Sequence, residues 1–195
     1  PAASVFDPDD LGAKNPIPAT PVLGYPINHP TLGIFDTTMG FGGMVFPDGT
    51  STVLYIGRRS MGPYCYWVGT TVNPPPAGEC YDPAGSSKGP HAFPYTHVML
   101  AYDANDLAAV KNGQKNTWDI LPYATWDFTL PFQNDGKIVH GVAYDPATRR
   151  IFVSQASGDN SAPLVHVFKC NIELATKDRF NARCFCFLVK LNRSI

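Results

Sequence analysis

Two stretches nearly a hundred residues apart read almost alike: FGGMVFPDGTSTVLYIGRR (41–59) and KIVHGVAYDPATRRIFVSQ (137–155). Each is an apolar run, a turn and a second apolar run. Leu54-Tyr55-Ile56 stands 97 positions before Ile151-Phe152-Val153, and Gly43 stands 98 before Gly141. A second echo joins VFDPDDLGA (5–13) to AYDANDLAA (101–109), with Asp7 and Asp103 96 positions apart. Each member of that pair is followed by an Ala-Thr step into another apolar run, PATPVLGYP (18–26) and YATWDFTLP (123–131). Several matches at nearly one offset point to a duplicated unit, and this constrains the fold more than any single motif.

The units are made of strands. Segments 42–46, 52–59, 96–103 and 123–131 form one set, and 137–145, 149–155, 163–171 and 183–192 a second. All are short, rich in β-branched or aromatic residues, and bounded by Gly, Pro, Asp or Asn. PDGTS and PAT suit tight antiparallel connections within the two sets. Helix is scarce: NDLAAVKNG (105–113) is the best candidate, with Asn105 as N-cap and Gly113 as terminator.

Four-stranded antiparallel meanders repeated in tandem are the blades of a β-propeller. The expected fold is therefore all-β and a single propeller-like domain over 1–195. Residues 1–30 give a partial blade with strands near 2–7 and 21–25, 41–131 a full blade, and 137–192 a second. A plain β-sandwich is the alternative. About two and a half blades do not close a ring of four or more. An open blade edge is an aggregation template, so the edges need further copies of the chain, the remainder of a larger propeller, or some other cap.

Composition agrees with strands and turns: 16% charged, 12% aromatic, and 19 Pro with 17 Gly. The net charge of −1 gives no electrostatic reason to expect nucleic acid or a membrane surface. No run approaches the eighteen or so apolar residues of a membrane-spanning helix, so the chain is expected to be soluble. PAASVFDPDD lacks the charged and apolar regions of a signal peptide, although a mature exported chain has lost its own.

Of five cysteines, Cys65 and Cys80 bracket a Pro/Gly-rich loop with little regular structure. A disulfide there closes a loop of about 15 residues, worth about 3 kcal/mol on chain-entropy grounds. Cys184-x-Cys186 puts two side chains on one face of a strand, which is the wrong spacing for a zinc knuckle.

The stretches GMVFPDGTSTVLYIGRRSMGPYCYW, CYDPAGSSKGPHAFPY and MLAYDANDLAAVKNGQ resemble the C-terminal part of a group of bacterial β-propeller-like proteins. The phrase GVAYDPATRRIFVSQ is similar to Kelch- and NHL-style blades. The likeness covers roughly 1–170. It implies blades and export, to the periplasm or outside the cell, and it brings no catalytic residues. The tail after Cys170 departs from the pattern.

Candidate functional residues gather in one place. The first unit carries an insertion at 58–97 where the second connects its strands through ASGDNSA (156–162). Long loops on a rigid β scaffold are usual binding places. Arg58, Arg59, Tyr64, Tyr66, Trp67, His91 and Tyr95 make up a ligand-binding set, since rings offer flat apolar faces and polar edges to a glycan or peptide. Asp82, Lys88 and His97 lie in the same insertion. A metal pair of His91 and His97 with Asp82 can be drawn, but loop spacing constrains it weakly. Asp7, Asp9 and Asp10 lack the spacing of a calcium loop and suit turn capping. Trp118-Asp119 and Trp126-Asp127 are too close together to be blade signatures. No nucleophile elbow, phosphate loop, dinucleotide fingerprint or zinc-protease motif occurs. No metal or cofactor is expected. The leading expectation is a non-enzymatic, exported propeller module that binds or self-assembles; the alternative is a hydrolase or lyase acting on polysaccharides or esters at the propeller mouth.

Overall fold

The structure, a computed structural model, describes residues 2–26, 38–84, 89–132, 134–159, 162–173 and 183–188, with backbone alone for 171–173 and 183–188. Lys88 and positions 189–192 of the expected last strand lie outside these.

The chain begins with β1 (Ala3–Phe6) and β2 (Ala19–Leu23), an antiparallel pair. Between them Asp7 ends β1 and caps a 3-10 turn, its carboxylate accepting the Asp9 N–H at 3.0 Å. Then come β3 (Gly40–Val45), β4 (Thr52–Ser60), the two-residue strands β5 (Cys65–Tyr66) and β6 (Pro90–His91), and β7 (Tyr95–Asp103). Helix α1 (Ala104–Lys111) leads on to β8 (Ala124–Phe128). Its N-cap is Asp103 and not the expected Asn105. Asp103 is still extended, and its carboxylate accepts the Asn105 N–H at 2.9 Å, so the helix starts at Ala104, earlier than expected. The echo of Asp7 in Asp103 is thus a shared capping task. Last are β9 (Val139–Asp145), β10 (Arg150–Asp159), β11 (Ala162–Glu173) and β12 (Arg183–Leu188).

Among the described residues the fold is all-β, with four antiparallel sheets, none of them closed. The first large sheet runs β3-β4-β7-β8 and the second β9-β10-β11-β12, each a meander in chain order. Both opening strands carry a bulge. In β3 it falls at Gly42, between the Phe41–Gly57 and Gly43–Ile56 pairs. In β9 it falls at His140, between the Gly141–Ser154 and Val139–Gln155 pairs. On the last strand pair Cys170 stands opposite Cys186 in register.

The two sheets stack face to face. Leu54, Ile56, Met99 and Ala101 of the first bury against Ile151, Val153 and Phe168 of the second. The opening strands approach so closely that a Cβ on Gly42 would sit 2.3 Å from the Val139 carbonyl oxygen. On its other face the first sheet turns Val53, Tyr55, Val98, Leu100 and Tyr102 towards Val22 and Leu23 of β2 and Leu107 and Val110 of α1. A sheet covered on both faces needs a continuous apolar run, and Val53–Ile56 is buried throughout. In β10, by contrast, buried Ile151, Val153 and Gln155 alternate with half-buried Phe152 and Ser154. No described helix is long and apolar enough to cross a membrane.

Candidate functional site

The insertion leaves the first sheet after β4 and returns to it at β7, so Arg58 and Tyr95 sit at the same end of two hydrogen-bonded strands. Inside the insertion, β5 and β6 pair Cys65 with His91 and Tyr66 with Pro90. Cys65 and Cys80 form a disulfide, Cα–Cα 6.5 Å. The Thr70 N–H donates to the Cys80 carbonyl at 2.9 Å and the Asp82 N–H to the Thr70 carbonyl at 2.8 Å. Cross-linking and these bonds give the Pro/Gly-rich segment the order that its composition cannot supply by itself.

His91 is buried at the centre of this arrangement. Its Nε2 donates to the Val68 carbonyl at 2.8 Å, and Nδ1 faces the Gly89 carbonyl at 3.3 Å. Trp67 is therefore held on both sides: the disulfide lies two residues before it and the His91 bond one residue after. It adopts φ 66° with 62% of its surface exposed. A bulky residue in the left-handed region is strained, and here two flanking ties hold it. The Tyr66 ring meets the Trp67 ring edge-on at 5.8 Å, and Tyr64 and Tyr66 are exposed.

The insertion also borders a cleft of about 560 Å³. One wall is the insertion, with Asp82, His91, Phe93 and Tyr95, and Arg58 of β4 enters from the first sheet. The opposite wall is the link between the two large sheets, with Asn134, Asp135, Gly136 and Ile138. The Arg58 guanidinium lies over the Tyr95 ring, 4.3 Å from its centroid, and donates through Nη1 to the Gly136 carbonyl. The Tyr95 hydroxyl accepts the Ala92 N–H at 3.0 Å, fixing the ring that supports the cation. Asp82 is buried, and its Oδ1 accepts the Ala84 N–H at 2.9 Å.

Of the seven sequence candidates, the cleft gathers Arg58, His91 and Tyr95. Tyr64, Tyr66 and Trp67 form the exposed display on β5 and beside it. Arg59 belongs to neither group, because its guanidinium forks onto both carboxylate oxygens of Asp127 on β8. His97 faces the layer between the large sheets, stacked on Phe128, and does not join His91. No group of three metal-ligating side chains occurs among the described residues. Sequence reasoning missed Asn134, Asp135, Gly136 and Ile138. The signal for them was the turn cluster QNDGK joining the two units, at the end of the sheet where the insertion also leaves. Comparison of the chain with family models, curated proteins and solved structures returned no match.

Proposed function

We propose that the protein is an exported, non-enzymatic β-propeller module that binds a glycan or peptide through its 58–97 insertion and completes its ring with further blades. The observation that carries the binding reading is Trp67: exposed, strained, and pinned between a disulfide and a buried histidine bond. Strain is kept where the surrounding structure over-determines it, and such places are commonly functional. A flat ring held rigidly outward offers contact area at little further loss of entropy on binding. The direction of both His91 nitrogens towards backbone carbonyls supports a holding part for that residue over proton transfer.

Support for blades comes from two four-stranded meanders stacked face to face, with β1 and β2 as a further layer on the first. On its outer face the second sheet leaves Val165 58% exposed and Phe152 half-buried, which suits another blade beyond it. A periplasmic or secreted site accords with the disulfide.

The test is a binding screen of the intact chain against glycans and peptides, with Trp67→Ala alongside and solution mass measured in parallel. Binding by the native chain and its loss in the variant, with folding unchanged, supports the reading. A monomer that binds neither class overturns it.

A further inference from the structure

The cleft beside the insertion holds three charged side chains, Arg58, Asp82 and Asp135. None of them joins an ion pair with any described residue. Arg59, the next residue along β4, shows the other outcome, with its guanidinium neutralised by Asp127. Arg58 uses one of its five donors on Gly136 and rests its flat face on Tyr95, so most of its edge is left to a ligand. Asp82 uses Oδ1 on Ala84, and its second oxygen has no hydrogen-bond partner among the described residues. Asp135 is exposed at the rim.

These groups set requirements on an occupant. Two carboxylates disfavour an anion, and a guanidinium tied to Tyr95 and Gly136 disfavours a cation. A hydroxyl meets both demands, since it donates to a carboxylate and accepts from a guanidinium. Adjacent hydroxyls on a rigid ring do so at neighbouring points, and the ring's C–H face needs an apolar wall such as Phe93 and Ile138 supply. We infer that the cleft takes one uncharged saccharide unit, whose neighbouring hydroxyls bridge Arg58 and the carboxylates of Asp82 and Asp135. This rests on the binding-module reading and names the ligand class and the residues that select it.

The experiment is calorimetry on the intact protein with three probes: neutral hexaoses (gluco-, manno-, xylo- and galacto-), oligogalacturonides, and short peptides with free termini. Neutral oligosaccharide is expected to bind with an affinity that changes less than about twofold between about 50 and about 500 mM salt, because no net charge is neutralised. Arg58→Gln and Asp135→Asn are each expected to weaken it about tenfold or more, leaving buried or fixed polar groups without their partners. Asp135 is exposed, so its variant reads the site even where Arg58→Gln disturbs the fold. Binding of uronides or peptides but not neutral sugars overturns this inference and leaves the binding-module reading standing. Neutral-sugar binding undiminished in both variants overturns the assignment to the cleft. Binding of no probe overturns both.

Discussion

His97 lies against Phe128 with ring centroids 5.3 Å apart and planes 27° from parallel, fully buried, and neither ring nitrogen has a partner among the described residues. Burial disfavours the charged ring, and nearby Lys137 and His166 add to this, so its pKa falls from 6.5 to about 4. The folded state therefore binds fewer protons than the unfolded state between those values. The stability tied to neutral His97 is complete above about pH 6.5 and is lost as pH falls towards 4, by roughly 3 kcal/mol in all. His166, also depressed by burial, adds in the same direction. Urea midpoints measured from pH 7 to 4 are expected to fall steeply in the native chain and less in His97→Leu. Equal slopes in the two proteins would assign the acid sensitivity elsewhere.

The glycines of the sequence echo are not equivalent in packing. A Cβ on Gly42 meets the Val139 carbonyl oxygen at 2.3 Å, and one on Gly43 meets the Val142 Cβ at 2.9 Å, whereas one on Gly141 meets nothing within 4 Å. Gly42→Ala has to move backbone and push the two large sheets apart, an overpacking penalty of about 3 kcal/mol. Gly141→Ala is expected to stay within about 0.5 kcal/mol of the native chain. Thermal unfolding of the two variants separates them; equal midpoints would mean that the sheets do not meet along β3 and β9.

Much of this architecture was legible because the strands announce themselves. Thr52–Ile56 and Ile151–Val153 are β-branched or aromatic, and their turns carry Pro, Asp and Gly, so the hairpins could be read and their likeness noticed. Register was not legible. Gly43 pairs with Ile56, while Gly141 pairs with Ser154, because the two bulges fall one rung apart. Half of the site was visible as an aromatic insertion. The wall from Asn134 to Ile138 was not, since its meeting with Arg58 depends on how one sheet stacks on the other. Nothing in the letters around Trp67 indicates its left-handed backbone, which comes from ties to Cys80 and His91.

The two hairpin turns handle the same backbone demand differently. In the first the left-handed position is Gly49, φ 75°; in the second it is Arg149, φ 54°. Asp145 supports the second turn by accepting the Ala147 N–H at 3.0 Å and by bonding the Thr148 hydroxyl. A side chain in that region costs about 1 kcal/mol relative to glycine. Arg149→Gly is expected to raise stability by about 0.5 kcal/mol after the added freedom of the unfolded chain is subtracted. A lower denaturant midpoint would show that the arginine side chain contributes more than its backbone strain removes.

Tyr55 and Tyr102 pack edge-on at 5.6 Å, but only one of them has its hydroxyl bonded. Tyr102 Oη bonds Tyr25 Oη at 3.1 Å, while Tyr55 Oη is buried with no partner among the described residues. Burial raises the Tyr55 hydroxyl to about 12, keeping it protonated. Removing an unsatisfied hydroxyl relieves its desolvation, so Tyr55→Phe should be neutral or stabilising by about 1 kcal/mol. Tyr102→Phe breaks a made bond and should cost about 1 kcal/mol. Chemical denaturation of both gives the comparison, and a loss in Tyr55→Phe would mean that its hydroxyl is bonded in solution.

The disulfide acts on the insertion and not on the sheets. Cys65 and Cys80 are 15 positions apart and both lie between β4 and β7, so cutting the bridge frees only that segment. A loop of that length gains about 3 kcal/mol from closure. The paired Cys65→Ser and Cys80→Ser variant should therefore lose hydrogen-exchange protection at Thr70 and Asp82, whose N–H groups bond across the loop. Protection in β4 and β7, whose buried cores face both neighbouring layers, should persist. With its anterior tie gone, Trp67 relaxes from the left-handed region, and ligand binding should weaken while the melting of the sheets changes little. Loss of protection throughout β4 and β7 would instead make the insertion part of the same cooperative unit as the sheets.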